Sequence, residues 1–393
     1  MKEGSGIFGD KRLVEVNEEL DTTEQHETKL IKKSGTKRWF AIIFPLLNIA
    51  VAALVVYLSM TSEYMDFNDI FAVSVNWWWL VVTFAVIALY VLGEIWRHQI
   101  LLHAATKRKS FLLGARLYMY ERYYSLITPM WLGGRPYQFY YLHKKGFDTP
   151  QATSVTVSIY LIGRVGFQLV TGLIIIFFMH RYSELGGGEI IDGAVWFGIA
   201  FNLVLSAGLV FLCFNMFLPR KIVDLVIGLL SRMKIVKKPD LIKRKAYDGI
   251  YRYRITMRRL MRRPWTLLLT LGLYSFRYFG HLFLVVFLYA ALWGWDWSVI
   301  PLILLGITLV EYIASMMPVP GGTGAMEIAF IAMLGSIFAT PQVLVALVLW
   351  KILSYVVPIL AGLGFVLQEN ISDARMRKKE NYSFDESADI DYN

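Results

Sequence analysis

Two proline–glycine interruptions, each set inside a long apolar stretch, limit what this chain can fold into. The first reads Ser125-Leu-Ile-Thr-Pro129-Met-Trp-Leu-Gly133-Gly134-Arg135-Pro136, and the second reads Ser315-Met-Met-Pro318-Val-Pro320-Gly321-Gly322-Thr323-Gly324-Ala-Met-Glu327. Proline lacks the amide proton that a helix uses, and glycine weakens a helix interior, so neither segment continues a helix. In lipid an unpaired backbone group costs several kcal/mol, and such breaks survive only inside protein or against a watery cavity. Around them lie windows long and apolar enough to cross a bilayer, at 39–60, 77–96, 151–179, 191–217, 266–291, 298–316 and 340–366. The stretches 110–147 and 317–338 are less regular and hold the breaks. With 56% of its 393 residues hydrophobic, the chain is too apolar for a soluble protein. The expected fold class is all-α: a polytopic integral membrane protein of about seven full spans plus two broken, re-entrant helical hairpins.

Charge sets the expected orientation, because cytoplasmic loops carry the excess of Lys and Arg. Lys32, Lys33, Lys37 and Arg38 precede the first span and place the N-terminus in the cytoplasm. No cleavable leader is expected, since the first apolar run starts near Trp39 after a long charged stretch. Glu63, Asp66 and Asp69 put the next loop outside, and Arg97, Lys107, Arg108 and Lys109 bring the chain back. Lys144 and Lys145 return the first broken segment to the side it left. Glu184, Glu189 and Asp192 face out, and Trp293, Trp295 and Trp297 form an outer aromatic belt. Arg375, Arg377, Lys378 and Lys379 keep the C-terminus inside, so the second break must sit in a hairpin over 298–338 that opens outward. Two oppositely oriented hairpins are the geometry of an inverted repeat.

The expected organisation is a cytoplasmic tail at 1–38, a transmembrane domain at 39–366 and a second cytoplasmic tail at 367–393. Within the domain, 219–265 holds 15 Lys or Arg against three Asp and reads as cytoplasmic. Its apolar residues recur at helical spacing among the bases, as in amphipathic helices that lie on an anionic leaflet. A plain topogenic signal reads the same way. The net charge of +10 flanks spans and does not point to nucleic acid. The single Cys213 excludes internal disulfides and thiolate metal clusters.

Ionisable groups inside spans are costly and mark function. Arg164, Arg277 and Lys351 lie near span centres, and His281 shares a helix face with Arg277. Arg135 follows the first break, and Glu311 and Glu327 flank the second. Glu94 lies close to the expected inner end of its span, within reach of water. Four bases against two acids leave positive charge in need of a partner, and a phosphate suits the planar guanidinium fork. Gly133, Gly134, Gly321, Gly322 and Gly324 would let backbone approach a headgroup closely, and Glu311, Glu327 and His281 would balance charge or carry a coupling proton. Structural ion pairs and close helix packing account for the same residues equally.

No zinc-protease histidine pair, nucleophile-elbow serine or P-loop occurs, so no enzyme activity, catalytic residue, metal or cofactor is expected. The rival reading is a membrane-embedded enzyme or accessory subunit of lipid-linked glycan or aminoacyl-lipid metabolism, for which Glu311 and Glu327 are thin support. A third is a scaffold that uses the basic 219–265 segment.

The segments Ile127-Thr-Pro-Met-Trp-Leu-Gly-Gly-Arg-Pro-Tyr-Gln138, Leu142-His-Lys-Lys-Gly146 and Pro318-Val-Pro-Gly-Gly-Thr-Gly-Ala-Met-Glu327 resemble the transmembrane region of lysylphosphatidylglycerol synthases, the multiple peptide resistance factor family. The resemblance covers roughly 39–370. It implies a multi-pass protein of the cytoplasmic membrane that moves an anionic or aminoacylated phospholipid, or a polyprenyl-phosphate-linked lipid, between leaflets. Carried over by position, the site residues are Gly133, Gly134, Arg135, Gly321, Gly322, Gly324 and Glu327. Bifunctional members carry a C-terminal cytosolic domain that transfers lysine from its tRNA to phosphatidylglycerol. This chain is expected to end in a short polar tail and not to make the aminoacyl lipid. The expected partner is the lipid itself, and a homo-oligomer is compatible with the sequence.

Overall fold

Asn76 accepts a hydrogen bond from the Trp78 amide at 3.1 Å and so starts the first long helix, α1 (Trp77–Thr106). The computed structural model describes residues 73–372 apart from 187, 215–216, 233–238, 320 and 340–341, all within one compact unit of the chain. The expected span at 39–60, the tail at 1–38 and the chain beyond Ser372 lie outside the described residues. After α1 come α2 (Phe111–Leu126), α3 (Gly134–Lys144), α4 (Thr149–Phe178), α5 (Glu189–Phe214), α6 (Phe217–Arg232), α7 (Pro239–Met261), α8 (Pro264–Trp293), α9 (Ile300–Met316), α10 (Ala325–Phe338) and α11 (Gln342–Lys351). A 3-10 turn, Met179–Glu184, prolongs α4, and α11 runs on through a π-helical turn, Ile352–Val356, to Ser372. Ser110 and Asp148 cap α2 and α4 in the same way as Asn76 caps α1. The described residues form an all-α polytopic membrane protein.

Among the described residues, five helices are long and apolar enough to cross a membrane: Trp77–Thr106, Thr149–Glu184, Glu189–Phe211, Pro264–Trp293 and Gln342–Ser372. The 17 residues of α9 and 14 of α10 reach only ~25 and ~21 Å at 1.5 Å per residue, short of a ~30 Å hydrocarbon core. α2 and α3, with 16 and 11 residues, fall short as well. Each pair instead packs together as a hairpin, α2 on α3 and α9 on α10, with a proline–glycine break at its tip. The expected span at 298–316 is thus one arm of the second hairpin.

Polar contacts fix which way the hairpins open. Lys144 and Lys145 at the end of α3, and Arg116 near the start of α2, all reach Glu369 near the end of α11, at 2.9, 2.9 and 3.4 Å. The indole of Trp293 at the end of α8 donates to the carbonyl of Phe338 at the end of α10, 3.1 Å away, and α11 begins four residues later. The first hairpin therefore opens toward the end of α11 and the second toward its start. The start of α1 joins that second end, since the Asn76 amide donates to Ala291 at 2.8 Å and Trp79 stacks on Trp295.

α9 is apolar around most of its circumference and buried from Leu302 to Ser315, which makes it the centre of the packing. Phe330, Phe338 and Trp350 pack into the same core from α10 and α11. Within the basic 219–265 segment, α7 packs on α4 and α6, and Asp224 of α6 reaches Tyr247 and Lys243 of α7. Leu225, Val226 and Leu229 of α6 stay exposed.

Small residues let the helices close in. A Cβ on Gly198 of α5 would lie 2.9 Å from the backbone oxygen of Tyr312 in α9, whereas one on Gly208 of the same helix would meet nothing within 4 Å. Gly198→Val is expected to cost about 1–3 kcal/mol by overpacking, read as a lower melting temperature in detergent, while Gly208→Val leaves the melt unchanged. Equal melts for the two variants would remove this account of the α5–α9 contact.

Candidate functional site

The two breaks meet across one side chain. Tyr355, inside the π-helical turn of α11, donates its hydroxyl to the carbonyl of Leu126 at the first break, 2.6 Å away. Gly321 of the second break has a φ of +62° and lies so close to the Tyr355 ring that any Cβ would collide with it. π-helical turns recur at functional sites, and here the turn brings a phenol between two irregular segments.

Beside this junction is a cavity of about 460 Å³, lined by residues of α1, α2, α4, α8, α9 and α11 and by both breaks. That volume falls in the usual range of small-molecule sites. Part of its rim is apolar: Met130, Trp131 and Leu132 of the first break line it, and Leu132 is 60% exposed. Met130 and Trp131 hold φ of 53° and 55°, the left-handed region that costs a non-glycine residue roughly 1–2 kcal/mol. Strain of this kind clusters at functional sites.

The wall is cationic. Arg97, Arg122, Arg135, Arg164 and Arg277 line it against Glu94, Glu121 and Glu311, an excess of two positive charges with His281 neutral. Arg97 is paired: its Nε and Nη2 donate to both carboxylate oxygens of Glu94, at 3.0 and 2.7 Å. Arg135 reaches Glu121 at 3.1 Å and donates to Gln138. Glu311 takes a 3.0 Å contact from His281 Nε2. Three arginines have no carboxylate within salt-bridge distance among the described residues. Arg164 donates to Asn202 and to the Tyr160 hydroxyl at 3.1 and 3.2 Å, and Arg122 donates to the carbonyl of Ser354 at 3.1 Å. Arg277 lies over the ring of Tyr274, and its buried Nε has no partner. The cations also share aromatic faces, with Arg135 and Arg164 over Tyr160 and Arg97 and Arg277 over Tyr274.

Of the residues singled out from sequence, Arg135, Arg164, Arg277, His281, Glu311 and Gly321 line this cavity together. Lys351 and Glu327 do not: they pair with each other at 2.5 Å, and Lys351 touches the lining residues Met326 and Tyr355 from behind. Glu327 also accepts from the Gly324 amide at 2.6 Å and so caps α10. Gly133, Gly134, Gly322 and Gly324 are not among the lining residues. The first three serve close packing, since a Cβ on Gly133 would lie 2.8 Å from the carbonyl of Tyr124, and one on Gly322 would lie 3.0 Å from that of Ala314.

Sequence reasoning missed Arg97, Arg122, Glu121 and Asn202 and gave Glu94 too little weight. α1 continues ten residues past the expected end at 96, which brings Arg97 inside the helix and leaves Glu94 well short of its end, each at 2% exposure. His98 is fully buried and bonds the Glu94 carbonyl through Nδ1 at 2.8 Å. Asn202, also fully buried, donates to Ser315 at 2.6 Å, so it ties Arg164 to the second break. The only sequence signal for it was an amide inside an apolar window.

Fold and cavity together define a polytopic helical membrane protein built around a chamber rich in arginine. The family described as lysylphosphatidylglycerol synthase TM region matches residues 45–362, and the chain belongs to that family, which ties it to membrane lipid metabolism or transport. No curated protein is matched by the chain.

The buried Lys351–Glu327 pair gives a test of the site's scaffold. Lys351→Met leaves a fully buried carboxylate unpaired and is expected to destabilise by about 3–5 kcal/mol. Adding Glu327→Gln removes that charge and should restore most of the melting temperature. A double variant no more stable than Lys351→Met alone would show that the pair does not act as a unit.

Proposed function

We propose that this protein moves a lipid with a phosphate headgroup between the leaflets of the cytoplasmic membrane, with both termini in the cytoplasm. The carrying observation is the set of three arginines, Arg122, Arg164 and Arg277, that line one cavity without a carboxylate partner among the described residues. Charge at membrane depth is expensive and needs a counter-charge. A phosphate supplies one, and the guanidinium fork binds two of its oxygens at once. The apolar rim at Met130, Trp131 and Leu132 gives acyl or prenyl chains a path that stays out of water while the headgroup enters.

In this reading the headgroup is passed between two gates. The first hairpin carries Arg135 at its tip, and the second carries Gly321 at its own. Because the hairpins open toward opposite ends of α11, a small shift of one against the other exposes the chamber to one side at a time. Tyr355 holds the two tips together in the present state. Glu311, in contact with His281, offsets part of the positive charge of the empty site. No bond of the lipid is made or broken.

The measurement is movement of a chain-labelled phosphatidylglycerol in proteoliposomes, followed by quenching of the outer leaflet. Arg164→Gln and Arg277→Gln are expected to slow movement at least about tenfold, a loss of about 1.4 kcal/mol, with melting temperatures near wild type. Wild-type rates in both variants would sink the proposal. Chemical turnover of the labelled lipid in detergent, where no leaflets exist, would favour a membrane-embedded enzyme instead.

A further inference from the structure

The charge and the donors of the chamber say more about the headgroup than that it is a phosphate. Five arginines face three glutamates, so two positive charges remain when His281 is neutral. The unpaired arginines come from three directions: Arg122 from α2, Arg164 from α4 and Arg277 from α8. Each keeps donors unused, for Arg122 and Arg164 spend only one or two on neutral acceptors, and Arg277 makes no hydrogen bond among the described residues. Tyr278 also lines the chamber, is 3% exposed, and has a buried hydroxyl with no partner. Such orphaned buried donors are rare in folded proteins and are free to bind an anion or water.

We infer that the chamber selects a phosphomonoester, a headgroup with two negative charges and three terminal oxygens, over a phosphodiester or a cationic aminoacyl lipid. A monoester dianion cancels the excess charge, and its three terminal oxygens meet three guanidinium groups. A diester such as phosphatidylglycerol has one charge and two terminal oxygens, so one positive charge stays uncompensated. A lysyl ester of phosphatidylglycerol carries more ammonium than phosphate charge and adds to the excess. Asn202 and Tyr160 position Arg164, and the Ser354 carbonyl holds Arg122, so the donors are set in place before the ligand arrives. That the monoester belongs to a lipid rather than to a soluble molecule rests on the translocation reading above. The monoester chemistry rests on the charge count alone.

The experiment is equilibrium binding to the purified full chain in detergent, with dihexanoyl phosphatidate, dihexanoyl phosphatidylglycerol and inorganic phosphate as separate probes. At pH 8 phosphatidate is expected to bind at least about tenfold tighter than phosphatidylglycerol, because one further charge in a partly desolvated site is worth more than that factor before losses. The preference should shrink toward pH 5 as the monoester takes up one proton and becomes a monoanion. Arg277→Gln should weaken phosphatidate more than phosphatidylglycerol, and Arg277→Lys should keep part of the preference. Phosphatidylglycerol binding as tightly as phosphatidate at pH 8 overturns the inference and leaves lipid translocation standing. Inorganic phosphate binding as tightly as phosphatidate supports the monoester chemistry and overturns the lipid as its source. No binding of any probe overturns both.

Discussion

Guanidinium groups do not remain at the depth of apolar helices unless something compensates them, and this chain places five around a single cavity. Much of the structure can be traced to that requirement. Glu94 and Glu121 answer Arg97 and Arg135 directly. The rings of Tyr160 and Tyr274 each lie within cation–π reach of two arginines, which gives both a favourable contact. The Asn202 side-chain amide also holds Arg164, and the Ser354 carbonyl holds Arg122. The chamber left over is cationic.

The second requirement is that irregular backbone be buried. Both breaks carry carbonyls and amides that a helix would have paired. The first satisfies some of them locally: Thr128 donates to Tyr124, and the Gly133 amide donates back to Thr128. The second pairs the Gly324 amide with Glu327, which Lys351 neutralises in turn. Tyr355 then closes the gap, donating to Leu126 while its ring covers Gly321. The ion pair of Lys351 and Glu327 thus belongs to the support of the second break, and the arginines belong to the chamber.

Much of this was legible in the chain. Hydropathy windows located α4, α5, α8 and α11, and the proline–glycine runs located both hairpin tips. Arg164 and Arg277 stood out because a charge in the middle of an apolar window has few innocent explanations. Glu94 and Arg97 did not, because hydropathy ends a span where polar residues begin, and α1 carries its helix past that point. Arg122 and Glu121 were hidden for a different reason: α2 holds several polar residues, and which of them face inward depends on how it packs against α3 and α4.

The sequence by itself determined the all-α membrane class and the positions of the two breaks, because the lengths of apolar runs and the absence of a proline amide proton are local properties. It also determined that cations outnumber acids inside the spans. Which cations are answered and which are not was decided only by tertiary structure. A guanidinium reads the same in every window, and its partner lies on another helix: Asn202 is 38 residues from Arg164, and the Ser354 carbonyl is 232 residues from Arg122. The meeting of the two breaks is of the same kind, made by a tyrosine 229 residues from the carbonyl it binds.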